Sequence, residues 1–174
     1  MYLLSQVQSS ALDALLIGGH AVISYGVPRS TFDLDLLVRK EQRESWRTFM
    51  TSRGYTLFHE SDPFQQWTPP TGEIAVDFML VDEPTWDKMR ASAQIVQLGS
   101  LPCLAVAPIH LVALKLHAMK FRPGSTADKD WRDIVELVRA CNLDPASPEL
   151  LAIVRRYANA STLTRYATHF HVQL

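Results

Sequence analysis

The chain has 174 residues, of which 47% are hydrophobic and 20% charged, and its formal net charge is -1. This length suits one globular domain, and the composition excludes a largely disordered chain. A charge so close to zero excludes a global positive field for long nucleic acids, although it allows a local basic patch. The two cysteines, Cys103 and Cys141, do not have the spacing of metal ligands, so we interpret them as reduced thiols.

No membrane or export signal is expected from the sequence. The N-terminus lacks the basic segment followed by a long apolar one that is typical of a signal peptide. No apolar run approaches the ~18 residues needed to cross a bilayer. We therefore expect a cytoplasmic protein without a membrane partner.

The first part of the chain alternates between helix-like and strand-like segments. Short apolar runs bounded by glycine or proline predict strands, and amphipathic runs predict helices. Three prolines, Pro63, Pro69 and Pro70, predict a loop between the third and fourth strands. The expected strands are 14–17, 32–38, 55–59 and 73–81, followed by a hairpin of 94–98 and 103–106. The expected helices are 2–13, 20–25 and 40–52.

From Pro108 onward the pattern is helical. A helix should run from Pro108 to about Phe121, and Pro123-Gly124-Ser125 should interrupt it. Further helices are predicted over 128–141, 147–160 and 162–171. The whole pattern indicates an α/β (α+β) fold, with a small mixed β-sheet flanked by helices over residues 1–107 and a C-terminal helical part over 108–174. Because the helical part is too short for a secure core of its own, we expect it to pack on the first part as one compact domain.

Two aspartates stand at alternate positions of the second predicted strand. Alternation places Asp33 and Asp35 on one face, with Leu34 and Leu36 behind them. At roughly 4–6 Å and an effective dielectric near 20, their repulsion is about 3–4 kcal/mol. A cation between them removes this cost, and carboxylate oxygens suit Mg²⁺ or Mn²⁺. The alternative is a solvated strand end with two ordinary surface aspartates.

A third aspartate, Asp77, lies inside an otherwise apolar strand. A lone buried carboxylate costs several kcal/mol unless it is paired or metal-bound. If this strand lies beside the first, Asp77 completes a cluster of three carboxylates. The alternative is a salt bridge between Asp77 and a nearby arginine.

A Gly-Gly pair, Gly18 and Gly19, precedes the second predicted helix. Glycine lets a backbone approach a ligand closely, and a helix N-terminus offers N–H groups to phosphates. The same pair also marks many ordinary tight turns, and His20 is as well explained as a first-turn helix residue as by ligand binding. Arg29 follows close to the same strand, where it either pairs with a phosphate or neutralises one of the acids.

One lysine lies on an apolar helical face. The neighbours of Lys115 at three and four residues are apolar, so its ammonium either snorkels to solvent or meets an anionic partner. The next helix begins with several acids. Asp128 is placed as its N-cap, and a structural role is favoured for this group taken singly.

Together these segments resemble the DNA polymerase β-like nucleotidyltransferase superfamily. The shared order is Gly-Gly, then Arg-x-Thr-x-Asp-x-Asp about ten residues later, then a third Asp on a later strand. The run GGHAVISYGVPRSTFDLDLLV looks most like two branches: toxin nucleotidyltransferases of the abortive-infection, type IV toxin–antitoxin kind, and small enzymes that adenylylate antibiotics. The stretch from Lys115 to Ile134 resembles helical motifs of the toxin branch. The likeness covers residues 17–38, 73–81 and 109–137.

The resemblance implies the nucleotidyltransferase fold and a role for each matching residue. The residues implied to bind the triphosphate are Gly18, Gly19, Arg29, Thr31 and Lys115. The residues implied to hold Mg²⁺ or Mn²⁺ are Asp33, Asp35 and Asp77. The residues implied to be catalytic are Asp33, Asp35, Asp77, Lys115 and Asp130. Asp77 would also be the base for the acceptor hydroxyl, and Asp133 is the rival of Asp130.

One departure from the family pattern concerns the glycine turn. Many members have Gly-Ser where this chain has Gly18-Gly19, so a hydroxyl contact to the nucleotide is missing. The glycine at position 19 bears on which substrate is expected more than on which fold is expected.

The expected function is therefore metal-dependent transfer of a nucleotidyl group from a nucleoside triphosphate, such as ATP, to an acceptor hydroxyl. The toxin resemblance implies an RNA acceptor such as a tRNA end, and an antitoxin protein as partner. The near alternative is a small-molecule, antibiotic-modifying enzyme. Two alternatives from other classes are a non-catalytic nucleotide-binding or partner-binding domain, and a structural module whose acids are surface charge.

Overall fold

A computed structural model describes residues 2–121 and 124–174 of the chain. Its contacts divide the chain into two compact units. The first comprises the residues up to Ser24 together with Pro28–Ala107, and the second comprises Tyr25–Val27 with Pro108–Leu174. The break expected at Pro123 lies outside the described residues.

The first unit is built on a mixed sheet of seven strands in the order β3-β4-β5-β2-β1-β7-β6. The strands are β1 Ala14–Leu16, β2 Asp33–Arg39, β3 Thr56–Glu60, β4 Phe64–Thr68, β5 Ala75–Val81, β6 Gln94–Leu98 and β7 Leu101–Ala105. The helices of this unit are α1 Tyr2–Gln8, α2 Gly18–Ser24, α3 Arg43–Thr51 and α4 Glu83–Ala91, with a 3₁₀ turn at Lys40–Gln42. The α/β fold class expected from the sequence is confirmed.

The centre of the sheet pairs strands of both directions. Strand β2 runs parallel to β5, with Asp35 opposite Asp77, and antiparallel to β1. Strand β4 runs antiparallel to β5, with Gln66 opposite Asp77. Because side chains alternate along a strand, residues in register across these strands share one face of the sheet.

The opposite face of the sheet carries the core of the first unit. Along β2 and β5 the buried residues alternate with half-buried ones, and Leu34, Leu36 and Phe78 are each at most 2% exposed. The ring of Phe78 lies 4.7 Å from that of Trp46 on α3, centroid to centroid. Helix α3 turns Trp46, Phe49 and Met50 towards this core, where all three are buried.

Two elements of this unit were not expected. Strand β4 occupies the predicted proline loop, where Phe64-Gln65-Gln66-Trp67-Thr68 lacks the aliphatic run typical of a strand. It forms a sheet strand because alternate residues, Gln65 and Trp67, are fully buried. Helix α4 begins after Asp82, whose side chain accepts a hydrogen bond from the Thr85 N–H and caps the first turn.

The second unit is helical throughout its described elements. Its helices are α5 Pro108–Phe121, α6 Ser125–Ala140, α7 Pro148–Tyr157 and α8 Ala160–Phe170. Ser147 and Asn159 cap α7 and α8 by accepting backbone N–H groups. The predicted N-cap at Asp128 is wrong: α6 begins after Gly124, whose φ is +85°, and Asp128 lies in its first turn. Among the described residues, no helix is both long and apolar enough to span a membrane.

Candidate active site

Three carboxylates meet on one face of the sheet in the first unit. Asp33 and Asp35 project from β2, and Asp77 projects from β5 directly opposite Asp35. One ligand oxygen from each residue lies within 4.8 Å of the others, and all three residues are half-buried. We call this side of the sheet the acid face. At such separations each pair of charges repels by roughly 3 kcal/mol or more at an effective dielectric near 20.

The glycine turn lies against the middle carboxylate. The backbone N–H groups of Ile17 and Gly19 point to Asp35, donating to its carbonyl oxygen at 3.1 Å and to Oδ2 at 3.4 Å, respectively. Gly18 has φ +60°, and a β-carbon placed on it would lie 1.9 Å from Asp35 Oδ2. Only glycine therefore fits at position 18, because both the backbone conformation and the space exclude a side chain.

The second glycine packs against the segment that leads into β2. A β-carbon on Gly19 would lie 2.4 Å from Thr31 Oγ1 and 3.0 Å from Arg29 Nη2. The Thr31 hydroxyl donates to Asp33 Oδ1 at 2.8 Å. The serine found at this position in the resembled family would thus collide with the hydroxyl that orients Asp33. The structure brings Gly18, Gly19, Arg29 and Thr31 together beside the acids.

The third carboxylate has a hydrogen-bond donor that the sequence did not suggest. Gln66 Nε2 donates to Asp77 Oδ2 at 3.0 Å. Gln66 belongs to β4, which lies where the sequence predicts a proline loop. The sequence indicates this strand only weakly, because the one sign of it is the aromatic residue on each side of two adjacent glutamines.

The three acids form a donor set that fits a divalent cation. Carboxylate oxygens are hard ligands of the kind that Mg²⁺ and Mn²⁺ prefer. Because Gly18 has no side chain, the Asp35 carboxylate lies directly against the glycine turn. The clustering of three like charges is costly unless a positive charge lies among them.

His20 lies within the electrostatic field of this site. Partial burial lowers the pKa of His20 below its usual value, and Arg29 acts in the same direction. The negative charge of Asp33 opposes both effects. His20 is therefore favoured as a neutral side chain on α2, and since α2 has only seven residues, its N-terminal charge adds little to anion binding.

Two other predicted site residues, Lys115 and Asp130, lie together within the helical unit. Lys115 Nζ on α5 lies 2.7 Å from Asp130 Oδ1 and 2.8 Å from Asp133 Oδ2, both on α6. The side chains are only 13%, 7% and 6% exposed. Lys115 thus meets an anionic partner instead of snorkelling to solvent, and both rival acids contact it.

Comparison with known proteins gives a consistent architectural result. No family model matches the chain, and no curated protein sequence matches it. The chain is similar in structure to ANT(2'')-Ia in complex with adenylyl-2''-tobramycin, with a TM-score of 0.68 and 17% identity over 90% of this chain and 95% of that one.

Two further structures show the same likeness. The lincomycin-bound lincosamide antibiotic adenylyltransferase LnuA has a TM-score of 0.58 and 11% identity, over 78% of this chain and 94% of that one. An antigenic nucleotidyltransferase-like protein from Paracoccidioides brasiliensis has a TM-score of 0.55 and 17% identity, over 98% and 94% of the two chains. The particular toxin branch stays a prediction. What these likenesses establish is that the chain has the nucleotidyltransferase fold.

Proposed function

We propose that this chain is a metal-dependent nucleotidyltransferase that moves a nucleotidyl group from a nucleoside triphosphate to an acceptor hydroxyl. The observation that carries the proposal is the cluster of Asp33, Asp35 and Asp77, with ligand oxygens within 4.8 Å of one another. The fold shared with solved nucleotidyltransferases supports it.

The residues of the acid face would hold the cation, and the glycine turn would receive the phosphates. Asp33, Asp35 and Asp77 supply the ligand oxygens for Mg²⁺ or Mn²⁺. A bound divalent cation would supply electrostatic stabilisation of the phosphate charge and of the leaving group. The family resemblance implies that the backbone at Gly18 and Gly19 binds the triphosphate, and the Arg29 guanidinium beside Gly19 would supply a positive charge.

The transfer itself needs one bond formed and one broken. The acceptor oxygen forms a bond to the α-phosphorus, and the bond from that phosphorus to the bridging oxygen breaks to release pyrophosphate. The hydroxyl proton passes to a base, for which the family resemblance implies Asp77. Gln66 holds one oxygen of this carboxylate by its hydrogen bond.

For the acceptor, we favour a small hydroxylated compound over RNA. The structural neighbour ANT(2'')-Ia is in complex with adenylyl-2''-tobramycin, and LnuA is lincomycin-bound. The net charge of -1 gives this chain no general attraction for nucleic acid. An RNA acceptor and an antitoxin partner stay predictions from the toxin resemblance, and incubation with total RNA tests the first of them.

Lys115 and Asp130 remain proposed participants on the strength of the resemblance. The resemblance implies that the Lys115 ammonium neutralises phosphate charge, and in this structure the ammonium is paired with Asp130 and Asp133. Triphosphate affinity of a Lys115 variant, measured well below its melting temperature, tests this role separately from stability.

The experiment on the whole proposal compares the wild type with Asp35→Asn, which is nearly isosteric. Removing one of three clustered charges should leave the metal-free protein as stable or more stable. Mn²⁺ with a triphosphate at a hundred times the dissociation constant stabilises a binding protein by about 2.7 kcal/mol, which a thermal melt detects. We expect this response in the wild type and its loss in Asp35→Asn.

The control is Asp87→Asn, which removes an exposed carboxylate of α4 in the same unit. It should keep the full response. Label transfer from each α-labelled triphosphate, with tobramycin, lincomycin or total RNA as acceptor, then reports the reaction. A wild type that shows no shift with Mg²⁺ or Mn²⁺ and any of the triphosphates would refute the site.

A further inference from the structure

Gln66, Asp77 and Asp35 lie in one row across three adjacent strands. Gln66 of β4 is in register with Asp77 of β5, which is in register with Asp35 of β2. Residues opposite one another have their side chains on the same face of the sheet. The glutamine therefore extends the acid face by one strand beyond the carboxylates.

The hydrogen bond between Gln66 and Asp77 has a defined donor and a defined acceptor. The amide nitrogen Nε2 donates to Asp77 Oδ2 at 3.0 Å, and a carboxylate can only accept. A neutral amide orients the carboxylate without cancelling its charge, whereas a lysine or arginine at this position would compete with a cation for it. A glutamate at position 66 would repel it.

The strand that carries Gln66 is firmly anchored from its other face. Gln65 and Trp67, on either side of Gln66, are 0% and 1% exposed. The Gln65 amide donates to Glu60 Oε1 at 2.7 Å, and the Trp67 ring lies 6.2 Å from that of Phe78. Because its two neighbours are buried on the opposite face, Gln66 is presented to Asp77 from a fixed backbone.

We infer that Gln66 is a positioning residue for Asp77, one that fixes the carboxylate in the orientation that a divalent cation requires. The inference rests on the proposed function. Side chains that hydrogen-bond to a ligating group typically change metal affinity or activity by 10–100-fold when they are removed. We therefore expect a clear effect on cation binding itself, independent of any acceptor.

The test measures Mn²⁺ dissociation constants by electron paramagnetic resonance of free Mn²⁺, at a temperature where circular dichroism shows every variant folded. Gln66→Met keeps size and neutrality but removes the donor. Gln97→Met makes the same change at an exposed position of β6 and serves as the matched control. Asp77→Asn removes the proposed ligand.

We expect Gln66→Met to raise the Mn²⁺ dissociation constant about tenfold, Gln97→Met to leave it unchanged, and Asp77→Asn to abolish measurable binding. A merely structural role of Gln66 would lower the melting temperature without moving this constant. If Asp77→Asn abolishes binding while Gln66→Met matches Gln97→Met, the positioning role is wrong and the metal site stands. If Asp77→Asn binds Mn²⁺ like the wild type, the metal site itself is refuted, and the positioning role with it.

Discussion

Replacing Lys115 with methionine should leave the carboxylates of Asp130 and Asp133 buried without the ammonium that both now contact. In the wild type one positive charge lies 2.7 Å from Asp130 Oδ1 and 2.8 Å from Asp133 Oδ2. The cluster therefore holds one positive and two negative charges. Asp130 Oδ2 is also buried, with no hydrogen-bond partner among the described residues.

The expected cost follows from this burial. Removing one partner of a buried ion pair destabilises a protein by about 3–5 kcal/mol, because an uncompensated charge remains. For a chain of this size each kcal/mol lowers the melting temperature by roughly 2–4 °C, so Lys115→Met should lower it by at least about 6 °C. A packing role alone would make the same variant as stable as the wild type.

Asp130→Asn is the contrasting change at the same place. It removes one of the two negative charges and makes the cluster neutral, so its unfolding free energy should stay within about 1 kcal/mol of the wild type. The triple variant Lys115→Met/Asp130→Asn/Asp133→Asn should recover a large part of the stability lost in Lys115→Met. Calorimetry and urea unfolding followed at 222 nm measure all of these. A Lys115→Met protein that melts within 2 °C of the wild type would refute the reasoning.

Two further predictions concern the first unit. Gly19→Ala should destabilise the fold by about 1–3 kcal/mol, since its β-carbon would lie 2.4 Å from Thr31 Oγ1. Helix propensity alone would favour alanine by about 1 kcal/mol. A melting temperature above that of the wild type would therefore contradict the clash. Glu60 accepts hydrogen bonds from Gln65, Arg47 and Arg43, which lower its pKa from 4.5 to about 2. Its lowered pKa stabilises the fold above pH 4.5, and this stabilisation is lost as the pH falls towards 2. The difference in melting temperature between the wild type and Glu60→Gln should therefore shrink across that window, and a constant difference would show that Glu60 ionisation is not coupled to folding.

The sequence was informative where one physical rule decides the structure. Strand alternation alone placed Asp33 and Asp35 on one face, and the apolar run around Asp77 marked a second strand. That this strand pairs with the first was left open by the sequence and is seen in the structure. The structure brings the three together. Their role as metal ligands stays a prediction that the Asp35→Asn comparison tests.

The sequence was uninformative where tertiary packing decides. Strand β4 forms because Gln65 and Trp67 are buried against neighbouring elements. Residue propensities do not predict that a glutamine will be fully buried, so the sequence alone does not identify this strand. Gln66 was missed together with its strand. Asp128 looked like an N-cap because it is the first acid of its helix, but the three residues before it extend α6 back to Gly124.

The parallel pairing of β2 with β5 also limits how this chain can vary. Because side chains alternate with a period of two, a one-residue slip of β5 against β2 would turn Asp77 to the buried face and put Val76 or Phe78 opposite Asp35. By contrast, the turn at Gly72 has open space around it, since a β-carbon there would meet nothing within 4 Å. Single-residue deletions should therefore be tolerated in the turn before β5, whereas the same deletion within the paired segment would remove a charge from the acid face without changing any of its three aspartates.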